Sequence, residues 1–151
     1  MENTKHFRRH KGGFRWAEVE LHVYKTEGEG PFKDVTRQTL FNAEHLAGEL
    51  RYFEISPGGH STLERHEHVH AVMILRGHGR CLVGDQVRDV STLDLVNIPP
   101  MTWHQFRAGP GEPLGFLCLV NRERDRPQLP GADDLAALEA DLQIAAFLRS
   151  E

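Results

Sequence analysis

Four of the ten histidines, His60, His66, His68 and His70, fall within eleven residues, in the run GGHSTLERHEHVHAVMILRG. Side chains of a β-strand alternate between its two faces, so residues two apart share one. Glu64 and His66, with His68 and His70 at the same parity, would then look into a single interior. Buried imidazoles and a buried carboxylate need partners, and one divalent ion satisfies all of them, because neutral imidazole and carboxylate are ligands that Mn, Fe, Ni, Cu and Zn accept. A solvated polar strand or an interface patch is the competing explanation for any one of these histidines.

The flanking pattern says what kind of interior this is. Between about residues 15 and 120, short apolar or alternating runs are separated by Gly, Pro, Asp and Asn, the rhythm of an all-β antiparallel barrel or sandwich. Strands are expected at Glu18 to Tyr24, Gln38 to Phe41, Leu50 to Ile55, Thr62 to His68, Ala71 to Leu75, Gly79 to Val83, Gln86 to Val90, Leu95 to Ile98, His104 to Ala108 and Leu114 to Val120. Turn signals stand at Glu27 to Pro31, Pro57 to Gly59, Gly77, Gly84-Asp85, Pro99-Pro100 and Gly109 to Pro113. The charged, proline-bearing stretch Asn121 to Gly131 reads as a strap leaving the barrel. A short C-terminal helix follows, capped by Asp133 or Asp134, with Leu135, Leu138, Leu142, Ala145 and Phe147 as its apolar stripe. The chain thus divides into an N-terminal extension with one strand (1–34), a barrel (35–120), and a linker with the helix (121–151).

Composition removes several classes of function. A chain of 151 residues fits one domain. The net charge of −4 with interleaved signs argues against a nucleic-acid partner. No run reaches the roughly 18 apolar residues of a membrane span, and the opening MENTKHFRRHKGG has no apolar signal segment, so a cytoplasmic location is expected. Cys81 and Cys118 lack the spacing of a disulfide framework and read as free thiols.

These residues resemble the cupins. Gly58, Glu64, His66, His70 and Gly77 fall without a gap on the slots of the first cupin motif, and Leu93, Pro99, Met101, His104 and Ala108 on those of the second, with fifteen residues between the motifs. The resemblance covers about residues 35–120 and implies a single-domain jelly-roll barrel, or double-stranded β-helix, holding one divalent transition metal, with Mn or Fe favoured, through Glu64, His66, His70 and His104. Glu64 stands where the family usually has its first His, and His70 where it has Glu. Leu93 and Met101 replace turn glycines, so those turns are expected to be built differently. The chain resembles in particular small cupins with four His ligands, which share Pro57-Gly58-Gly59, an Arg at position 51 and the Phe-Leu-Cys-Leu run from Phe116. A two-residue slip would instead make the set His66, His68, His70 and His104.

Parity from His104 turns Thr102 and Phe106 inward and Trp103 and Gln105 outward, and the resemblance places Cys118 inside the barrel. Arg51, Phe106 and Cys118 are therefore candidate substrate-binding residues; Arg51 can clamp a carboxylate or form a rim salt bridge, and Arg37 and Gln38 are weaker candidates of that kind. If Glu64 does not bind metal, it is placed as a catalytic base. The implied function is a metal-dependent enzyme on a small molecule, a dioxygenase or related oxidoreductase acting on an oxygenated or aromatic substrate. Isomerase or lyase chemistry and a non-catalytic binding or sensor barrel are the alternatives. A homodimer is expected, with the segment from Arg15 to Tyr24 pairing onto the partner's sheet.

Overall fold

One long strand organises the molecule. The structure, a computed structural model, describes residues 6–23 and 33–150, and among these the chain forms β1 (His22–Val23), β2 (Lys33–Asn42), β3 (Gly48–His60), β4 (His70–Arg76), β5 (His78–Val83), β6 (Gln86–Ser91), β7 (Leu95–Ile98), β8 (His104–Ala108) and β9 (Leu114–Asn121). Residues 48–55 of β3 pair antiparallel with both β2 and β9, while His60 at its far end pairs with Arg107 of β8. The strand order β6-β5-β8-β3-β9-β4-β7, with β2 on the other side of β3, curls the sheet into a jelly-roll half-barrel.

That continuity differs from the sequence expectation, which ended the strand at Ile55. The turn signal Pro57-Gly58-Gly59 lies inside β3, and Gly58, at φ +75°, bends the strand where it passes between the two parts of the sheet. The strand expected over Thr62 to His68 is instead irregular, held by two isolated bridges, Glu64 to His104 and Arg65 to Gln128. Of the strand expected from Glu18, only His22–Val23 forms, and it pairs with β2 of the same chain; Tyr24 and the turn at Glu27 to Pro31 lie outside the described residues.

Inward side chains from both halves make one core. Val35, Phe53, Ile55, Val72, Ile74, Phe106, Phe116 and Cys118 are all buried there. A second apolar cluster lies on the outside of β5 and β6, where Leu82 and Val87 meet Leu138, Ile144 and Phe147. These last three belong to two helices, not the one expected: α1 (Ala132–Glu139) and α2 (Leu142–Arg149). Asp141 breaks the run, since its carboxylate accepts the N–H groups of Gln143 and Ile144 and starts a new helix. The restart shifts the apolar face, burying Ile144 and leaving Leu142, a member of the expected stripe, 85% exposed. α1 is capped from within, Asp134 accepting the N–H of Gly131 at 2.9 Å. No helix among the described residues is long and apolar enough to cross a membrane.

On the opposite face Phe14 stacks on Tyr52 at 5.5 Å, Trp16 tilts against the same ring, and the Phe14 carbonyl accepts from the Gln38 amide at 2.8 Å. The extension thereby covers an otherwise exposed tyrosine.

The turns at the two missing motif glycines are not built differently. Leu93 and Met101 adopt left-handed conformations, φ +77° and +52°, so a non-glycine residue occupies each glycine-like position under strain. Gly77 is unreplaceable for a further reason: at φ +74°, a Cβ there would collide with the Pro113 carbonyl oxygen. Leu93→Gly is expected to raise stability by up to about 1 kcal/mol, because its side chain is mostly exposed and the strain of about 1–2 kcal/mol is relieved against the extra freedom of the unfolded chain. Gly77→Ala should lower stability by roughly 1–3 kcal/mol. Urea denaturation of both variants beside wild type checks the pair, and equal midpoints would refute it.

Candidate metal centre

Three segments meet at one mouth of the barrel. His70 opens β4, His104 opens β8, and His66 sits on the irregular segment between β3 and β4. The His66 backbone is fixed from one side by the Met101 N–H, which donates to its carbonyl at 2.7 Å. One ligand atom from each of the three imidazoles lies within 4.8 Å of the other two.

The tautomers follow from the outer nitrogens. His66 Nδ1 lies 2.7 Å from the His68 carbonyl and His104 Nδ1 lies 2.9 Å from the Thr102 carbonyl, so both must carry the proton and donate it. His70 Nδ1 faces Cys118 Sγ at 3.2 Å, which leaves its Nε2 inward as well. The His70 and His104 Nε2 atoms then face each other at 3.4 Å as two lone pairs, an arrangement that a shared cation satisfies. Burial favours the neutral, ligating form. It pushes His70 down to about 2, helped by His104 and His66, and His104 down to about 4, against the pull of its hydrogen bond to Thr102. The donor set thus fits a divalent transition metal.

Glu64 is brought to the same place without joining this cluster of three. Its backbone exchanges both hydrogen bonds with His104, at 3.3 and 3.0 Å. Its carboxylate lines the cavity beside the imidazoles, and Oε2 is buried without a hydrogen-bond partner. Burial pushes its pKa up to about 7, with Arg51 pulling the other way. His68 lies flat on His66, ring centroids 3.6 Å apart and planes 5° from parallel, with its Nδ1 held by Asp125 at 2.7 Å.

The cavity next to the histidines measures about 250 Å³. Arg51 faces into it, buried, its Nη2 3.7 Å from Cys118 Sγ and its guanidinium over the Phe53 ring. Phe106 and Phe116, stacked at 4.8 Å, form an apolar floor, and Cys118 stands between floor and arginine. The other cysteine, Cys81, is buried in the core, away from this cavity; both are free thiols. Arg37 lines the cavity too, whereas Gln38, the other weak candidate, turns outward to Phe14. Several lining residues were not singled out from sequence, Thr62, Arg124 and Asp125 among them. Thr62, two positions before Glu64, was readable by parity, and its hydroxyl is buried and unpartnered. Arg124 and Asp125 lie on the strap, whose charge gave no sign that it folds back over the mouth.

The family model for the cupin domain matches residues 51–120. The chain is 59% identical over 142 residues, 94% of its length and 91% of the other's, to a Rhodospirillum rubrum protein named 1-methylthio-D-xylulose 5-phosphate methylsulfurylase. Two solved structures are similar. A cupin 2 conserved barrel domain protein from Rhodopseudomonas palustris is 61% identical, with a TM-score of 0.88 over 93% of this chain and 97% of that one. A cupin 2 domain-containing protein from Halorhodospira halophila is 44% identical, with a TM-score of 0.74 over 92% of each.

Replacing His66, His70 or His104 by Ala is expected to bring metal content well below one ion per chain, with His68→Ala less damaging than His70→Ala; elemental analysis of the folded variants checks this, and the reverse order supports the slipped register. In metal-free protein, Glu64 has a raised folded pKa, so its contribution is fully present below about 4.5 and is lost as pH rises through about 7. The buried histidines run oppositely, losing stability as pH falls below their ordinary value near 6.5. Glu64→Gln should therefore gain stability on metal-free wild type as pH rises from 5 to 8, by roughly 1–3 kcal/mol in total. A difference that is flat with pH in denaturant titrations would show that Glu64 stays ionised throughout.

Proposed function

The chain belongs to the cupin family, and from that premise we propose that it is a metal-dependent enzyme that removes the methylthio group from a phosphorylated ketose; its Rhodospirillum relative is named 1-methylthio-D-xylulose 5-phosphate methylsulfurylase. One observation carries the reading: a single thiol, Cys118, shares a cavity with three convergent imidazoles and a buried arginine. A cavity of about 250 Å³ suits one small molecule. Its polar wall offers Arg37, Arg51 and Arg124, whose forked guanidinium groups match a phosphate, and Thr62 for a sugar hydroxyl. Its apolar floor of Phe53, Phe106 and Phe116 suits a thioether, which packs well against aromatic rings.

His66, His70 and His104 would hold a divalent ion, which when bound would supply Lewis acidity. Cys118 provides the sulfur nucleophile. Burial raises its pKa, Arg51 lowers it, and the His70 Nδ1–H donates to the same sulfur, so the thiolate has two donors when it forms. Its attack on the methylthio sulfur forms an S–S bond, and the C–S bond next to the ketone breaks with its electron pair left as the substrate's enolate. Glu64, with a pKa near neutrality, can return a proton to that carbon. A free thiol, added as co-reactant, then regenerates Cys118 by disulfide exchange, taking the methylthio group with it.

Oxygen-dependent chemistry at the same centre is the second reading, favoured by the three-histidine donor set, since imidazole suits iron. Two buried free thiols support a reducing compartment such as the cytoplasm.

With 1-methylthio-D-xylulose 5-phosphate and a free thiol, the metal-loaded protein is expected to release the demethylthiolated ketose phosphate without consuming oxygen. Cys118→Ser should abolish turnover with metal content intact, and Glu64→Gln should lower it by roughly two to four orders of magnitude. Product formation unchanged in Cys118→Ser would refute the assignment, and substrate-dependent oxygen uptake would favour the second reading.

A further inference from the structure

We propose that the strap between β9 and α1 is part of the metal centre: Asp125 and His68 are positioning residues that set the orientation of His66. The inference rests on the three-histidine reading above, and it begins from a local weakness. His70 and His104 stand at the first residues of paired strands, so the ladder fixes their backbones. His66 lies where no strand runs, on a segment whose regular pairing ends with the isolated bridge at Arg65. A ligand on such a segment has to be aimed by something else.

The strap supplies it. Asp125 Oδ2 accepts the Glu67 N–H at 2.8 Å, and Oδ1 accepts both the His68 N–H at 3.0 Å and the His68 ring Nδ1–H at 2.7 Å. One carboxylate from 57 residues away therefore holds the backbone and the side chain of the segment together. Three residues on, Gln128 exchanges both backbone hydrogen bonds with Arg65, at 3.1 and 2.7 Å, and its side chain accepts from Arg65 Nε at 3.1 Å. The strap thus ties the segment on either side of His66.

His68 transmits this grip in two ways. Its carbonyl accepts the Nδ1–H of His66 at 2.7 Å, fixing tautomer and ring direction, and its imidazole lies flat on the His66 ring at 3.6 Å. The donor atom of His66 is thereby restricted in both rotation and tilt. The same contacts give the histidine at position 68 a role outside the cluster of three: its Nδ1 holds Asp125, and its ring face lies on His66.

The test is Mn(II) binding to the purified full-length protein, by chelator competition and by the electron paramagnetic resonance spectrum of the bound ion. Asp125→Ala and His68→Ala are each expected to weaken Mn(II) binding by about 10–100-fold while still saturating at one ion per chain, with an altered spectrum. His68→Phe keeps a flat ring over His66 and should bind more tightly than His68→Ala. Asp125→Asn retains one acceptor oxygen and is read in place of Asp125→Ala if the latter melts before binding can be measured. Wild-type affinity in both Asp125→Asn and His68→Ala overturns the proposal. So does complete loss of saturable binding in His68→Ala, which would make His68 a ligand. His70→Ala is the control, since tight Mn(II) binding by that variant would remove the three-histidine centre and this proposal with it.

Discussion

The constraint on which the rest of the structure turns is the facing pair of imidazole lone pairs, His70 and His104 Nε2 at 3.4 Å, inside a barrel mouth. Two buried acceptors directed at each other are unfavourable unless a cation or a proton lies between them. Burial depresses both pKa values, which makes protonation the expensive solution and metal binding the cheap one. Around this pair the fold holds the outer nitrogens. The carbonyls of His68 and Thr102 fix the tautomers of His66 and His104, and His70, whose Nδ1 faces the Cys118 sulfur, turns its Nε2 toward the same point. The backbone exchange between Glu64 and His104 fastens the irregular segment to β8 at the same level, so the centre is stitched to the barrel by ordinary sheet hydrogen bonds.

Much of this was legible because it is periodic. Parity from His104 turned Phe106 inward and the resemblance placed Cys118 inside the barrel, and the structure finds both buried together with Phe116. Trp103 and Gln105 face away from that interior, as parity from His104 requires. Trp103 packs into the cluster beneath the helices, and Gln105, buried too, bonds to the Ser61 carbonyl. Where periodicity stops, so did the reading. An alternating rule applied to Thr62 to His68 assumes a strand, yet this segment has only two isolated bridges, and the approach of His66 to His70 depends on a bend instead. Pro57-Gly58-Gly59 failed as a turn because a strand that serves two parts of a sheet needs a bend that does not interrupt pairing. The helix break at Asp141 was masked by a good apolar run on both sides.

Leu93 and Met101 show a different limit. Sequence gives the identity at a motif position, and the natural inference from a missing glycine is a different turn. The backbone keeps the glycine conformation and tolerates the strain, because each turn is held by a strong hydrogen bond: the Leu93 N–H donates to the Ile74 carbonyl, and the Met101 N–H to the His66 carbonyl, both at 2.7 Å. The second of these bonds links a strained turn directly to a metal-ligand segment. Conformation there is dictated by what the neighbouring chain needs, which a residue's own propensity does not reveal.

The position of Cys118 connects the centre to chemistry. β9 is the strand shared by both neighbours, pairing with β3 on one side and β4 on the other, so Cys118 sits opposite Arg51 in one register and Val72 in the other. That placement is rigid, and it puts the sulfur within 3.2 Å of the outer nitrogen of a metal-facing histidine and 3.7 Å from a guanidinium. The imidazole of His70 therefore has two neighbours that matter: Nε2 looks toward the metal position and Nδ1–H toward the sulfur. Positive charge gained at Nε2 strengthens the Nδ1–H as a donor, and a stronger donor favours thiolate over thiol at Cys118. Burial alone would keep this thiol protonated and inert. Under the proposed function, the reactivity of this thiol is a property of the centre when metal is bound, which gives a physical reason for one barrel to place its imidazole donors and its thiol on adjoining strands, β4 and β9.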